Sequence, residues 1–155
     1  MRKRISKPSD ISDSASGPWL DLASLACVEI TSECDWSPIE AALTSDVGTG
    51  WKASEPGIQV IRLLFDEPTT IQRVLLEFVE KDTDRTHEFS LRWSKDGEVY
   101  DEIVRQRWNF SPAGATHERE DYQFDLQNAR VLELRIIPDI RGGSALASLA
   151  QLRLA

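Results

Sequence analysis

The chain has 155 residues, 41% of them hydrophobic, which is enough for one domain with a core of its own. Charged residues make up 28% and the formal net charge is −8, which argues against general affinity for nucleic acid phosphates or anionic lipid. No stretch approaches the ~20 apolar residues that span a bilayer, so neither nucleic acid nor a membrane is an expected partner.

Residues 1–18 are rich in Ser, Asp, Lys and Pro and have no apolar period, so they read as a flexible basic arm. Arg2, Lys3, Arg4 and Lys7 are not followed by the apolar run of a secretory signal, which points to a cytoplasmic protein. Cys27 and Cys34 are then expected to be free thiols, and a Cys-x6-Cys spacing without a His pair is not a zinc pattern. The single folded domain is expected over 19–155.

Within it, Ala26, Val28 and Ile30 alternate with Cys27 and Glu29, the mark of a first strand. Trp36 falls in a polar turn. Pro38 to Leu43 suits one helical turn, with Ser37 as N-cap and Pro38 at the first position. Thr44 to Trp51 is a loop with two glycines. Ile58–Phe65 and Ile71–Val79 read as a strand pair, with Ile61, Leu63 and Phe65 on one face and Val74, Leu76 and Phe78 on the other strand's face. Pro68 marks the turn between them.

Glu88–Ser94 shows the clearest period of two, with Phe89, Leu91 and Trp93 facing inward. Asp96-Gly97 supplies a hairpin turn, and the chain returns as Tyr100–Phe110. After a loop over 111–116, Tyr122–Leu126 alternates again. Gln127 to Ala129 makes a turn before the strand at Leu132, Leu134 and Ile136. Ala147–Leu154 closes the domain, and since both ends of the domain are strands, their pairing with each other would tie the termini together. About eight short strands at roughly 8–12-residue spacing indicate an all-β sandwich or barrel.

The layout resembles the discoidin, or coagulation factor 5/8 type C, family, which overlaps with a large family of carbohydrate-binding modules. The resemblance covers about Ala26 to Ala155. It is carried by Pro38–Leu43 with Asp46–Trp51, by Gln59–Phe65, by the Phe89–Glu98 hairpin ending in Ser-x-Asp-Gly, and by Leu146–Leu152. It implies a galactose-binding-like jelly roll of about eight antiparallel strands and a non-catalytic binding module. The ligand it implies is a carbohydrate or glycan-like molecule bound by loops at one end. An intracellular protein-interaction or scaffold role is the alternative, because most free glycans lie outside the cytoplasm.

The aromatic and polar residues near loops are the candidates for that ligand: Trp36, Arg85, His87, Trp108, Asn109 and Arg141. A tryptophan face stacks on the apolar side of a sugar ring, and arginine, histidine and asparagine bond its hydroxyls. Trp51 and Trp93 read as core instead. Many family members hold a structural calcium where this chain has Asp46 and Thr49. Gln151 stands where such members often add a glutamate, which lowers the site's charge, so the domain is expected to fold without a cofactor. No nucleophile elbow, P-loop, zinc-protease helix or dinucleotide fingerprint occurs, so no enzyme is expected.

Overall fold

A computed structural model describes residues 19–44 and 50–155. The arm over 1–18 and the proposed calcium residues Asp46 and Thr49 lie outside the described residues.

The chain enters through a single helical turn, α1 (Leu22–Leu25), and passes straight into β1 (Ala26–Ile30). A second turn of helix, α2 (Glu40–Leu43), precedes the two-residue β2 (Trp51–Lys52). Then come β3 (Gln59–Val79), β4 (Arg85–Ser94), β5 (Asp101–Phe110) and β6 (His117–Ile137). β7 (Ser148–Leu149) and β8 (Gln151–Leu154) finish the chain.

β3 and β6 organise everything else. Each runs 21 residues, long enough to serve in both layers. Their first contact pairs Gln59–Leu64 with Ile136–Val131, and their second pairs Arg73–Val79 with Gln123–His117. Between them lie three register shifts, at Leu64/Thr69, Thr69/Ile71 and Ile71/Arg73, and a left-handed residue, Asn128, at φ 60°. Bulges of this kind bend a strand and sharpen its twist. The two strands therefore turn one corner together and pass from one layer to the other. Residues 66–70 do not join a hairpin: the two halves of β3 pair with β6, not with each other. Proline is tolerated there because the ladder is interrupted.

The first layer has the order β1-β3-β6-β4-β5, all antiparallel. The second is β8 on the far half of β3, with the near half of β6 on its other side. The terminal strands β1 and β8 both pair with β3, so they do not pair with each other; the Leu20 amide donates to the Leu154 carbonyl at 2.7 Å and ties the ends together. The period of two explains the filling. Ile61, Leu63, Phe89, Leu91, Leu132, Leu134 and Ile136 from the first layer meet Val74, Leu76, Phe78, Leu152 and Leu154 from the second, all buried. Trp51 joins them, its indole N–H donating to the Ser32 carbonyl at 3.0 Å.

The β4–β5 hairpin has a six-residue loop, 95–100, and not a two-residue turn. Only Gly97 is left-handed, at φ 81°; Asp96 instead caps the loop by accepting from the amides of Glu98 and Val99. Cys27 and Cys34 are free thiols. Among the described residues no helix is long and apolar enough to cross a membrane.

Candidate loop-end binding site

The register places Ile30, Gln59, Arg85, Phe110 and Ile137 at the same end of the first layer. The loops 31–38, 53–58, 80–84, 111–116 and 138–147 therefore all leave from that end, opposite the corner and the tied termini. Loop residues at one end of a rigid sandwich are where side chains are free to meet a ligand.

The longest of these loops is shaped from within. The Ile140 amide donates to the Thr86 carbonyl at 2.8 Å, and the Gly142 amide donates to the Asp139 carbonyl at 2.9 Å. Gly142 and Gly143 are left-handed, at φ 84° and 97°, a conformation that glycine takes without a Cβ clash. Arg141 is exposed. It is held by Asp139, with Nε to Oδ1 at 3.2 Å, and its Nη2 donates to the Asp84 carbonyl at 2.9 Å. Arg141 thereby ties two loops of this end.

Beside this loop, Thr86, Arg107, Trp108, Asn109 and Ile140 line an open depression of about 330 Å³. Its floor is the end of the β4–β5 ladder, where Thr86 is opposite Asn109. The Thr86 hydroxyl bonds Asn109 Oδ1. That leaves the Asn109 amide N–H groups without a protein acceptor among the described residues. Trp108 also borders the depression; paired with His87, it is half-buried against the core, and its indole N–H is buried with no partner among the described residues. The site thus combines apolar surface from Trp108 and Ile140 with an amide, a hydroxyl and a guanidinium, the set that suits a polyhydroxylated ligand.

Two expected ligand residues lie beneath the site instead of in it. Arg85 is only 3% exposed. Its Nη1 donates to the carbonyls of Pro138 and Leu146, both at 3.1 Å, and its Nε sits 2.9 Å from Glu80 Oε1. Burial lowers its pKa, and Glu80 and Asp139 partly offset that. Arg85 therefore staples the loops from below, the usual solution for a buried charge. His87 is 1% exposed, caged by Phe78 at 4.6 Å and Phe110 at 4.9 Å between ring centroids. Its Nε2 lies 2.5 Å from Glu118 Oε1. Burial and then the Arg85 charge push its pKa down to about 3, so the imidazole is neutral. Both side chains are buried. Both share the inward face of β4 with Phe89, and the period of two seen for Phe89, Leu91 and Trp93 extends back to them.

Trp36 is 79% exposed, on a turn closed by the Ser37 amide donating to the Cys34 carbonyl at 3.0 Å. That turn is pinned to β2 through the Cys34 amide and the Lys52 carbonyl at 2.8 Å. Trp36 does not line the depression. Its turn is tied to β2, outside the first layer, whereas Trp108 lies on β5, an edge strand of that layer, and the depression beside Trp108 does not include Trp36. The two tryptophans therefore do not form one cleft. Thr86, Arg107 and Ile140 complete the depression and were not marked by the sequence; Thr86 and Arg107 sit on the outward positions of two alternating strands, the only signal available. Gln151 opens β8 opposite Glu77. Among the described residues no three His, Cys, Asp or Glu side chains converge on one point.

No family model and no curated protein matches the chain. Solved structures do. CpGH89CBM32-5 from Clostridium perfringens, in complex with GalNAc-beta-1,3-galactose, superposes with a TM-score of 0.66 at 18% identity, over 88% of this chain and 99% of that one. The family 32 carbohydrate-binding module of C. perfringens NanJ, in complex with galactose, gives 0.65 at 13% identity, over 88% and 96%. A pectin-binding carbohydrate-binding module gives 0.61 at 20% identity, over 84% and 89%. The fold is the discoidin-like jelly roll, of the galactose-binding-like type. The jelly roll is shared almost end to end, since each of these modules is covered along nearly its whole length.

Proposed function

We propose that this protein is a non-catalytic carbohydrate-binding module that holds its ligand at the loop end, in the depression of Thr86, Arg107, Trp108, Asn109 and Ile140. The observation that carries the reading is the composition of that depression: aromatic and aliphatic surface beside an unspent amide donor, on a fold whose solved relatives include modules in complex with galactose and with GalNAc-beta-1,3-galactose. Trp108 and Ile140 cover the C–H face of a sugar, Asn109 and Arg107 donate to its hydroxyls, and Arg85 and Arg141 position the loops. Trp36, exposed on its pinned turn at the same end, contacts a longer ligand beyond the first sugar.

The test is a titration of the isotope-labelled chain with galactose, N-acetylgalactosamine and glucose, following backbone amides. Shifts at Thr86, Trp108, Asn109 and Ile140 are expected with at least one sugar. Trp108→Ala should abolish them, because stacking and apolar contact supply much of such a small ligand's affinity. Asn109→Ala should weaken binding about tenfold, the worth of one good hydrogen bond. No shift with any sugar, and no signal on a glycan array, would sink the proposal.

A further inference from the structure

The outward face of the first layer carries an ordered array of arginines. The register sets it out in rows across the strands. One row reads Arg62, Glu133, Arg92, Glu102, and the next reads Val60, Arg135, Ser90, Arg105. Then follow Glu88 with Arg107, and finally Thr86 with Asn109 at the loop-end depression. Rows two residues apart along a strand are about 6.8 Å apart, and neighbouring strands about 4.8 Å. The array is thus about 20 Å long and continuous with the loop end.

Its centre is concave, a depression of about 320 Å³ whose lining includes four arginines, Arg62, Arg92, Arg105 and Arg135, against two carboxylates, Glu102 and Glu133. With the flanking Glu29, opposite Arg62, and Glu88, which pairs with Arg105 and Arg107, the face holds five arginines against four carboxylates, so one positive charge remains over in a chain whose formal net charge is −8. Glu133, 2% exposed, is the anchor: Arg62 Nε donates to it at 2.6 Å, and Arg92 bonds it through both Nε and Nη2. Arg92 also stacks on Tyr100, 4.3 Å from the ring centroid. One buried carboxylate therefore fixes two guanidinium groups and leaves most of their N–H donors unspent, since each guanidinium has five. Arg135 is exposed in the middle of the depression, between the small side chains Val60 and Ser90, and has no hydrogen bond or ion pair among the described residues. Arg135 and Arg105 sit two strands apart, about 10 Å.

We infer that this face is a second binding surface, specific for carbohydrate chains that bear carboxylates, and that Arg135 is its principal free contact. Planar guanidinium groups bind carboxylates in a two-pronged fashion that ammonium groups do not match, and no lysine lines the depression. Arg62 and Arg92 converge on Glu133, while Arg135 and Arg105 stand on strands about 10 Å apart, so the face offers separated positive points to a polymer with recurring, separated carboxylates. The net acidity of the chain works against a partner as densely charged as a nucleic acid. The inference rests on the carbohydrate reading for the type of polymer, but its contact residues, Arg62, Arg92, Arg105 and Arg135, do not line the loop-end depression.

The experiment titrates the full, isotope-labelled chain with a hexamer of galacturonic acid, with the same hexamer methyl-esterified, and with galactose. The free hexamer should shift the amides of Arg62, Ser90, Arg105 and Arg135, and raising the salt should weaken it. The esterified hexamer should leave those amides in place. Arg135→Ala removes no hydrogen bond or ion pair among the described residues, so it should fold and weaken the free hexamer about tenfold while galactose shifts at Thr86, Trp108 and Asn109 persist. Shifts confined to the loop end, equal binding of the esterified hexamer, or unchanged affinity in Arg135→Ala would each overturn the inference. So would shifts of this face by an oligothymidylate and none by the hexamer. Loss of the galactose response alone, with the hexamer response at Arg135 intact, would count against the loop-end reading and not against this one.

Discussion

Replacing Glu120 by Gln should stabilise the protein in mild alkali and leave it unchanged in mild acid. Between the layers, β6 carries Glu118, Glu120 and Tyr122 on one face. Glu118 bonds His87 through Oε1, while its Oε2 is buried with no partner among the described residues. The Glu120 carboxyl lies beside it and also accepts from the Tyr122 hydroxyl at 3.4 Å. Two adjacent carboxyl groups in an apolar setting cannot both ionise cheaply. Burial, and then Glu118, push the Glu120 pKa up to about 7. This folded value is above the unfolded one, so the folded state binds the extra proton. The contribution is fully present below the unfolded pKa near 4.5 and is lost as pH rises through 7. His87 works in the other sense. Its folded pKa, about 3, is below the unfolded 6.5, so its contribution is present above 6.5 and is lost as pH falls through 3. Between 4.5 and 6.5 the unfolded chain holds one proton on histidine and the folded chain one on the carboxyl pair, so these two contributions cancel.

Gln copies the shape and donor of the protonated acid at every pH. The gap from 4.5 to about 7 is worth at most about 3 kcal/mol, and solvent at the edge of Glu120 screens this to about 1–2 kcal/mol. The expected gain at pH 8 is therefore about 3–6 °C in Tm for a domain of this size, with no gain at pH 5. Thermal and urea denaturation at both pH values measure it. An equal gain at pH 5 and pH 8, or none at pH 8, would show that the pair does not hold the proton.

Three further outcomes follow from the same contacts. Gly50 is left-handed at φ 74°, and a Cβ there would lie 2.4 Å from the Leu149 carbonyl oxygen; Gly50→Ala should cost about 2–4 kcal/mol in urea melts, and a loss under 1 kcal/mol would mean that β7 moves freely. Arg85→Met removes the staple under the loops and leaves Glu80 and two carbonyls unpaired; a loss of about 2–4 kcal/mol is expected, together with weaker sugar binding despite no contact with sugar, and full binding in the folded variant would refute the positioning role. Tm in chelator and in millimolar calcium should agree within about 1 °C, because Gln151 brings no charge to the closing strand; a rise of many degrees would show a filled site coupled to folding.

Periodicity was enough to read the strands. Phe89, Leu91 and Trp93, or Ile61, Leu63 and Phe65, alternate so regularly that one face must be dry, whatever the partner. The same alternation makes the helical turn at 40–43 and the β4–β5 hairpin local matters, decided by nearby residues. Long-range pairing is different. Nothing in Asp66–Thr70 distinguishes a hairpin turn from a corner, because both use the same bulging, proline-tolerant backbone; only the partner strand β6, which bends at Asn128, makes it a corner.

Polar residues show the same division more sharply. Arg85, His87, Glu118 and Glu133 are charged or titratable side chains that composition assigns to the surface, and all four are buried. Each is buried because carbonyls, carboxylates or guanidinium groups distant in the chain supply its partners, such as Pro138 and Leu146 for Arg85. Trp36 and Trp108 were legible as aromatics near loops, yet their placement on different elements, a turn tied to β2 and the edge strand β5, was not. Which residues alternate, hence the all-β class and much of the core, is legible along the chain, since burial of apolar faces is a local property of period two. The tertiary structure alone decided which loops meet, which charges are hidden and which arginines line up, because those depend on the register between strands that lie tens of residues apart.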